Sequence, residues 1–241
     1  MFFLTTLLLG NAEANPFESN YTFDPAATRG LLLPTAQTLK KGEFTLSSIE
    51  VFFFNANVGV TDNVNVSFTS LLPIFPVPFG GILSSRIKLV DSDKWTFSIE
   101  PSALIATGDD AFGSTFGVQL LTDYAVDSSG RFIVTGTLNT QGLFGLSSVS
   151  SDFSLEDGAL GIAGMGFQFL AANNLKLMGE FLVPIAITGD GVDMIPELTV
   201  ANFGLRFISK MWSYDLSFIR PMELDGGFWG FPYVVATGRF N

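Results

Sequence analysis

Along most of the chain, apolar and polar residues change places at every second position. In VGVTDNVNVSF (58–68), Val58, Val60, Val64, Val66 and Phe68 are separated by small or polar residues only. WTFSIEPSALI (95–105) sets Trp95, Phe97, Ile99, Pro101, Ala103 and Ile105 against Thr96, Ser98, Glu100, Ser102 and Leu104. Over 84–90, Ser84, Arg86, Lys88 and Val90 oppose Ser85, Ile87 and Leu89, and 131–141, 203–208 and 213–219 repeat the pattern. A period of two marks β-strands with two unlike faces.

From residue 40 the chain divides into runs of roughly 9–15 residues, the length of tilted barrel strands. Short turns (Thr61-Asp62-Asn63, Asp91–Lys94, Asp127–Gly130, Ala172–Asn174, Ser209–Met211) alternate strictly with longer connections at 73–81, 107–113, 143–157, 187–195 and 220–228. This predicts an all-β protein, a transmembrane antiparallel up-and-down β-barrel, with tight turns at one end and loops at the other. About eleven strands follow Gly42; one more over 28–39 (TRGLLLPTAQTL), turning at Lys40-Lys41-Gly42, makes about twelve, an even number as bacterial barrels require. Within 43–60 the alternation slips at Ser47-Ser48 and again within Phe52–Phe54, and these slips are read as β-bulges in a single strand or as a strand rising beyond the membrane, two strands here being the case that would change the count.

GVTDN before an alternating strand, the opening LLLPTAQTLKKGE, and a closing strand ending at Phe240 resemble the porin-like Gram-negative outer-membrane β-barrels. The likeness covers 28–241 at the level of architecture. It implies a barrel fold, and no catalytic residue or substrate.

Composition decides which face is which. The chain is 47% hydrophobic with 26 phenylalanines, yet only 15% charged, against about 25% in ordinary soluble domains. Mean hydropathy is +0.41. A soluble barrel such as a lipocalin puts charges outside; here the polar faces are mostly Ser, Thr, Asn and Gly, which suits a hydrated lumen, and the apolar faces suit lipid. The valines of 58–68 are therefore expected outside, with Asn65 and Ser67 inside. Trp95, Tyr124, Trp212 and Tyr214 beside the short turns, and Phe228, Trp229 and Phe231 beside a long loop, fit interfacial aromatic girdles. The same apolar outer face serves a lipid or a protein neighbour equally, so it defines no oligomeric state.

Residues 1–14 (MFFLTTLLLGNAEA) have an apolar core and a small-x-small site at Ala12–Ala14, the signature of a signal peptide for export to the outer membrane, although the first basic residue is Arg29. Residues 15–27 are read as a periplasmic segment and 28–241 as the barrel.

With these faces, the lumen holds Arg86, Lys88, Arg131, Lys176, Arg206 and Arg239 against Glu100, Asp123, Glu180 and Asp215, charges that either pair and plug a narrow barrel or leave a mildly basic interior. A two-residue turn at Lys210-Met211 puts Arg206 directly opposite Asp215, which predicts a cross-strand ion pair. The net charge is −11, and much of the acid falls in the long loops, at Asp109, Asp110, Asp190 and Asp193 among others. ATGDD (106–110) and ITGDGVD (187–193) resemble each other, but they lack the EF-hand spacing and read as solvated loop tips before any Ca²⁺ site.

The chain has no Cys and no His. That removes disulfides, thiolate chemistry, the usual general base and the usual metal ligand. No nucleotide-binding or nucleophile motif is present, and an acidic chain without a basic patch is a poor nucleic-acid binder. The expectation is a non-enzyme with the outer-membrane bilayer as partner and no cofactor. Two functions stay open: a narrow porin-like channel for passive entry of small solutes, anions included through its lumen cations, or a closed barrel working through acidic extracellular loops. A soluble barrel for apolar ligands is a third and weaker reading.

Overall fold

The computed structural model describes residues 24–50, 53–71, 79–107, 112–144, 159–188, 191–223 and 230–240. Residues 1–23, with the predicted signal peptide, and Asp109, Asp110 and Asp190 lie outside these, as do Phe228 and Trp229.

The alternating runs form β1 (Phe44–Ile49), β2 (Phe53–Thr61), β3 (Val64–Leu71), β4 (Phe79–Asp91), β5 (Trp95–Thr107), β6 (Phe112–Ala125) and β7 (Phe132–Phe144). They continue as β8 (Ala159–Ala172), β9 (Leu175–Thr188), β10 (Gly191–Met194), β11 (Val200–Ile208), β12 (Trp212–Pro221) and β13 (Phe231–Phe240). Pairing is antiparallel throughout, and β13 pairs with β1, so the sheet closes on itself. β10 and β11 share one edge of β9: β10 pairs with 185–188 and β11 with 175–182, a single 3-10 turn at Pro196–Leu198 lying between them. Together they fill one wall position. The result is a closed twelve-stranded antiparallel barrel, whose wall strands pair on both sides, while the short β10 pairs with β9 alone among the described strands.

The two faces separate as the alternation requires. Val58, Val60 and Phe68 are exposed on the outside, whereas Asn65 is 2% exposed. Leu83, Phe116, Met165 and Phe203 extend the exposed apolar band, an area that belongs against hydrocarbon. At the short-turn end, Trp95 packs tilted against its cross-strand partner Tyr124, with ring centroids 4.6 Å apart. Phe240 lies between Phe44 at 4.9 Å and Trp212 at 6.1 Å. These are aromatic rings at strand ends, with the amphipathic Trp95, Tyr124 and Trp212 among them, as an interfacial girdle needs. Among the described residues no helix is long and apolar enough to cross a membrane.

Four expectations from the sequence need correction. The first is 28–39, which forms no strand; its backbone makes one isolated bridge, Arg29 to Pro34. Its leucines do not alternate, and Gly30 and Pro34 interrupt any ladder.

Second, 43–60 is not one bulged strand but the two strands β1 and β2. β1 keeps an unbroken register with β13 from Phe44 to Ile49, so Ser47-Ser48 carries no bulge. The chain then turns at Glu50, whose φ is 52°, a conformation seldom taken by a residue with a side chain. Glu50 is tied there to Val234, donating its N–H to the Val234 carbonyl (3.0 Å) and accepting from the Val234 N–H. The loss of one strand and gain of another leave the wall number at twelve.

Third, connections do not alternate strictly, because β1 and β2 are joined closely at the loop end, and β10 occupies much of the predicted loop 187–195. Fourth, Val90 leaves the face of Arg86 and Lys88. A register shift between Lys88 and Val90 turns it outward beside Leu89, the usual effect of an extra residue in one strand.

Candidate functional site

Residues 24–39 lie inside the barrel as a plug. A segment of irregular backbone can sit at this depth only if its N–H and C=O groups find partners. Here the lumen side chains supply them. Glu180 on β9 accepts the N–H groups of Leu31 (2.6 Å), Leu32 (2.8 Å) and Leu33 (3.2 Å). Across the lumen, Asp123 on β6 accepts from Ala36 N–H at 3.0 Å and Gln37 Nε2 at 3.1 Å. Asn65 on β3 accepts from Leu39 N–H at 2.8 Å.

The plug carbonyls are bound by cations. Arg86 on β4 donates to Thr28 and Gln37. Arg206 on β11 donates to Ala26 (2.9 Å), Arg29 (3.0 Å) and Gly30 (2.6 Å). Ser98 on β5 donates to Ala36 at 2.6 Å, and the Tyr233 hydroxyl on β13 donates to Leu31. Partners from β3 round to β13 can meet one short segment only from within the wall. Leu31, Leu33, Ala36 and Leu39 are buried by it. Close approach requires Gly30, where a Cβ would stand 2.1 Å from Glu180 Oε1, and Gly59, where it would stand 2.1 Å from the Lys40 carbonyl.

The ionic groups are matched among themselves. Arg206, fully buried, makes a two-pronged pair with Asp215, its direct cross-strand partner (Nε–Oδ1 2.7 Å, Nη2–Oδ2 3.0 Å). Two-residue turn geometry fixes that pairing, since Ser209 N–H bonds Trp212 O at 2.8 Å. Arg29 reaches the same carboxylate at 2.7 Å. Asp24 receives Lys176 at 2.6 Å and Arg206 at 3.2 Å. Burial opposes the charge on Asp24, but Lys176 and Arg206 beside it hold its carboxyl well below the usual carboxylate range. Arg86 pairs with Glu100 at 2.7 Å, and Ser84 donates to the other oxygen of Glu100 at 2.6 Å.

The remaining predicted residues lie at the ends. Lys88 pairs with Asp91 at 2.7 Å and Arg239 with Glu43. Arg131 stands in the turn before β7 and donates to the Leu170 carbonyl at 2.9 Å. Asp193 is exposed on β10 as the partner of Ala186. Sequence reasoning missed Asp24 and Arg29, which it placed outside the lumen or in a strand. The signal present was the run LLLPTAQTL, with its Pro and without alternation.

Beside the plug the lumen widens into a cavity of about 310 Å³. Leu32 and Pro34 of the plug line it, and its wall carries amides and hydroxyls, among them Asn55, Asn57, Gln119, Asn139 and Gln141. Its charged residues are Arg29, Arg86 and Glu100, each already in an ion pair. Among the described residues no group of three or more acidic side chains is placed to hold a metal.

A closed barrel with an apolar outer belt, a polar interior and an internal plug has the architecture of an outer-membrane porin-like barrel. Solved structures agree at the level of fold. The KdgM porin superposes with a TM-score of 0.50 at 10% identity, covering 83% of this chain and 97% of its own. KdgM in complex with disordered oligogalacturonate gives 0.50 at 9% identity, over 83% and 97% of the two chains. Omp33 of Acinetobacter baumannii aligns over 82% of this chain and 96% of its own at 11% identity, with a TM-score of 0.41 that adds nothing to that agreement. No protein-family model and no curated protein sequence matches the chain.

Proposed function

We propose that this protein resides in the bacterial outer membrane and acts as a narrow porin-like channel for passive diffusion of small solutes, exported by residues 1–14 as a signal peptide, with no catalytic role. The observation that carries the reading is the cavity beside the plug, an open space lined by amides and hydroxyls together with Leu32, Ile49 and Ile82, where a filled barrel would have packed side chains.

The sequence expectation of anion attraction rested on lumen cations. In the structure Arg29, Arg86, Lys176 and Arg206 stand against Asp24, Glu100, Asp123, Glu180 and Asp215, so the lumen has no surplus of positive charge to focus on an anion. This favours uncharged solutes, in contrast to the acidic saccharide named with KdgM. The closed-barrel alternative also has an observation in its favour, the plug bound on many sides.

Single-channel conductance of residues 15–241 in a planar bilayer under a salt gradient separates the readings. A channel gives small steady steps with a reversal potential near zero, and steps several-fold larger once 24–39 is replaced by a short Gly/Ser linker. Silence from both folded proteins excludes the channel. Strong anion selectivity refutes the charge argument alone.

A further inference from the structure

The inward face of β8 and β9 carries apolar residues that neither the membrane nor the plug explains. Residues directly opposite in an antiparallel pair share a face. Leu160 stands opposite Gln141, and Ile162 opposite Asn139, two cavity-lining amides. The next strand extends the patch, with Ala186 opposite Leu160 and Pro184 opposite Ile162. Leu160 and Ile162 are each 38% exposed, toward the lumen, and Leu32, which lines the cavity from the plug, is 40% exposed. Facing water, this surface has no stabilising role; an apolar ligand face covering it gains roughly 25 cal/mol per Å².

On β2 and β3, across the lumen from β8, runs an uncharged polar ladder. Asn57 donates to Asn55 at 2.6 Å, and Asn55 donates to Thr69 at 2.7 Å. Asn139 Oδ1 is buried without a hydrogen-bond partner among the described residues, an acceptor left for a ligand donor. The charged groups at the cavity are already paired, and Asp193 adds a negative charge on the face of Ala186.

We propose that this chamber binds a small uncharged amphiphile, a molecule with hydroxyl groups along one side and a flat apolar face on the other. Its apolar face lies on Leu32 in the cavity wall and extends over Leu160 and Ile162. These two adjoin that wall on the same lumen face, as the cross-strand partners of Gln141 and Asn139. The ligand's hydroxyls meet the amides of Asn139 and Gln141. A cavity of about 310 Å³ is near the lower bound for ligand pockets of about 300–1,000 Å³, which limits the ligand to one or two rings. The inference deepens the channel reading by naming the solute class and rests on it for the route of entry.

The test is equilibrium dialysis of the full chain in nanodiscs, corrected against empty nanodiscs, with phenyl β-D-glucoside, glucose and phenyl β-D-glucuronide as probes. Phenyl glucoside is expected to bind at least tenfold more tightly than glucose, and the glucuronide no more tightly than the glucoside. Ile162→Ser is expected to weaken the phenyl glucoside about tenfold and leave glucose unchanged, while Asn139→Leu weakens both; heat-modifiable gel mobility confirms that each variant is folded. No binding by any probe, equal binding of glucose and phenyl glucoside, or tighter binding of the glucuronide overturns the proposal. Conductance on the same preparations keeps the two readings apart. Conduction without glucoside binding refutes the site and leaves the channel, whereas binding without conduction supports the site and refutes the channel.

Discussion

Arg206 concentrates more of the interior's bonding than any neighbour described: two bonds to Asp215, one to Asp24 and three to plug carbonyls. Removing one partner from a buried ion pair leaves the other charged without compensation, at a cost of about 3–5 kcal/mol. Arg206→Met should therefore lower the urea unfolding midpoint in vesicles by a corresponding amount. Arg206→Lys should recover only part of the loss, since an ammonium cannot fork across a carboxylate. An unchanged midpoint in Arg206→Met would show that water replaces these bonds at no cost. Asp24 gives a pH-dependent counterpart. Its folded pKa is depressed, so its contribution is present in full above the unfolded value, about 3.9, and is lost as pH falls through the folded value. The stability difference between the native protein and Asp24→Asn should stay level from pH 7 to pH 5 and shrink only at stronger acidity. A difference that collapses between pH 7 and pH 5 contradicts the depressed pKa.

At the scale of the element, each strand is specified by its own alternation, and one position decides a face. Leu138 is 40% exposed in β7, while Asn139 beside it lines the cavity. An Arg at the midplane of the lipid face costs about 2–4 kcal/mol, so Leu138→Arg should destabilise the barrel by that order. Asn139→Arg, in a wet lumen, should cost far less; equal effects in urea unfolding would refute the assignment of faces. This is also where the sequence was most legible. Period two survives local noise, and lumen and lipid faces differ in charge and size at every strand. It was least legible where two signals mimic one another. Ser47-Ser48 and the phenylalanines after Glu50 resemble bulges, yet a corner at Glu50 breaks the run into two short strands. Residues 28–39 were long and apolar enough to pass for a strand, because burial inside a lumen and burial in a wall call for the same leucines.

For the whole molecule, lumen charge had to be read from partners and not from counts. The cations of β4, β9 and β11 were visible in the sequence, but Asp24 and Arg29, which help complete their network, sit outside any strand and join it only through the closed fold. The wall is also uneven: β4 to β9 run to 13 or 14 residues, against 6 in β1 and 9 in β2. The low side is where the wall closes, and it is also where the plug enters, since the plug runs into β1 through Lys40–Gly42. Arg206, Asp215, Tyr233 and Thr237, which grip the plug, all lie on β11 to β13, the last wall strands in chain order. Asn65, Arg86, Ser98, Asp123 and Glu180 hold it from β3 to β9 as well. Parting the last strands from the first would therefore break bonds to the plug, so that in this fold a sealed wall and a filled lumen depend on one another.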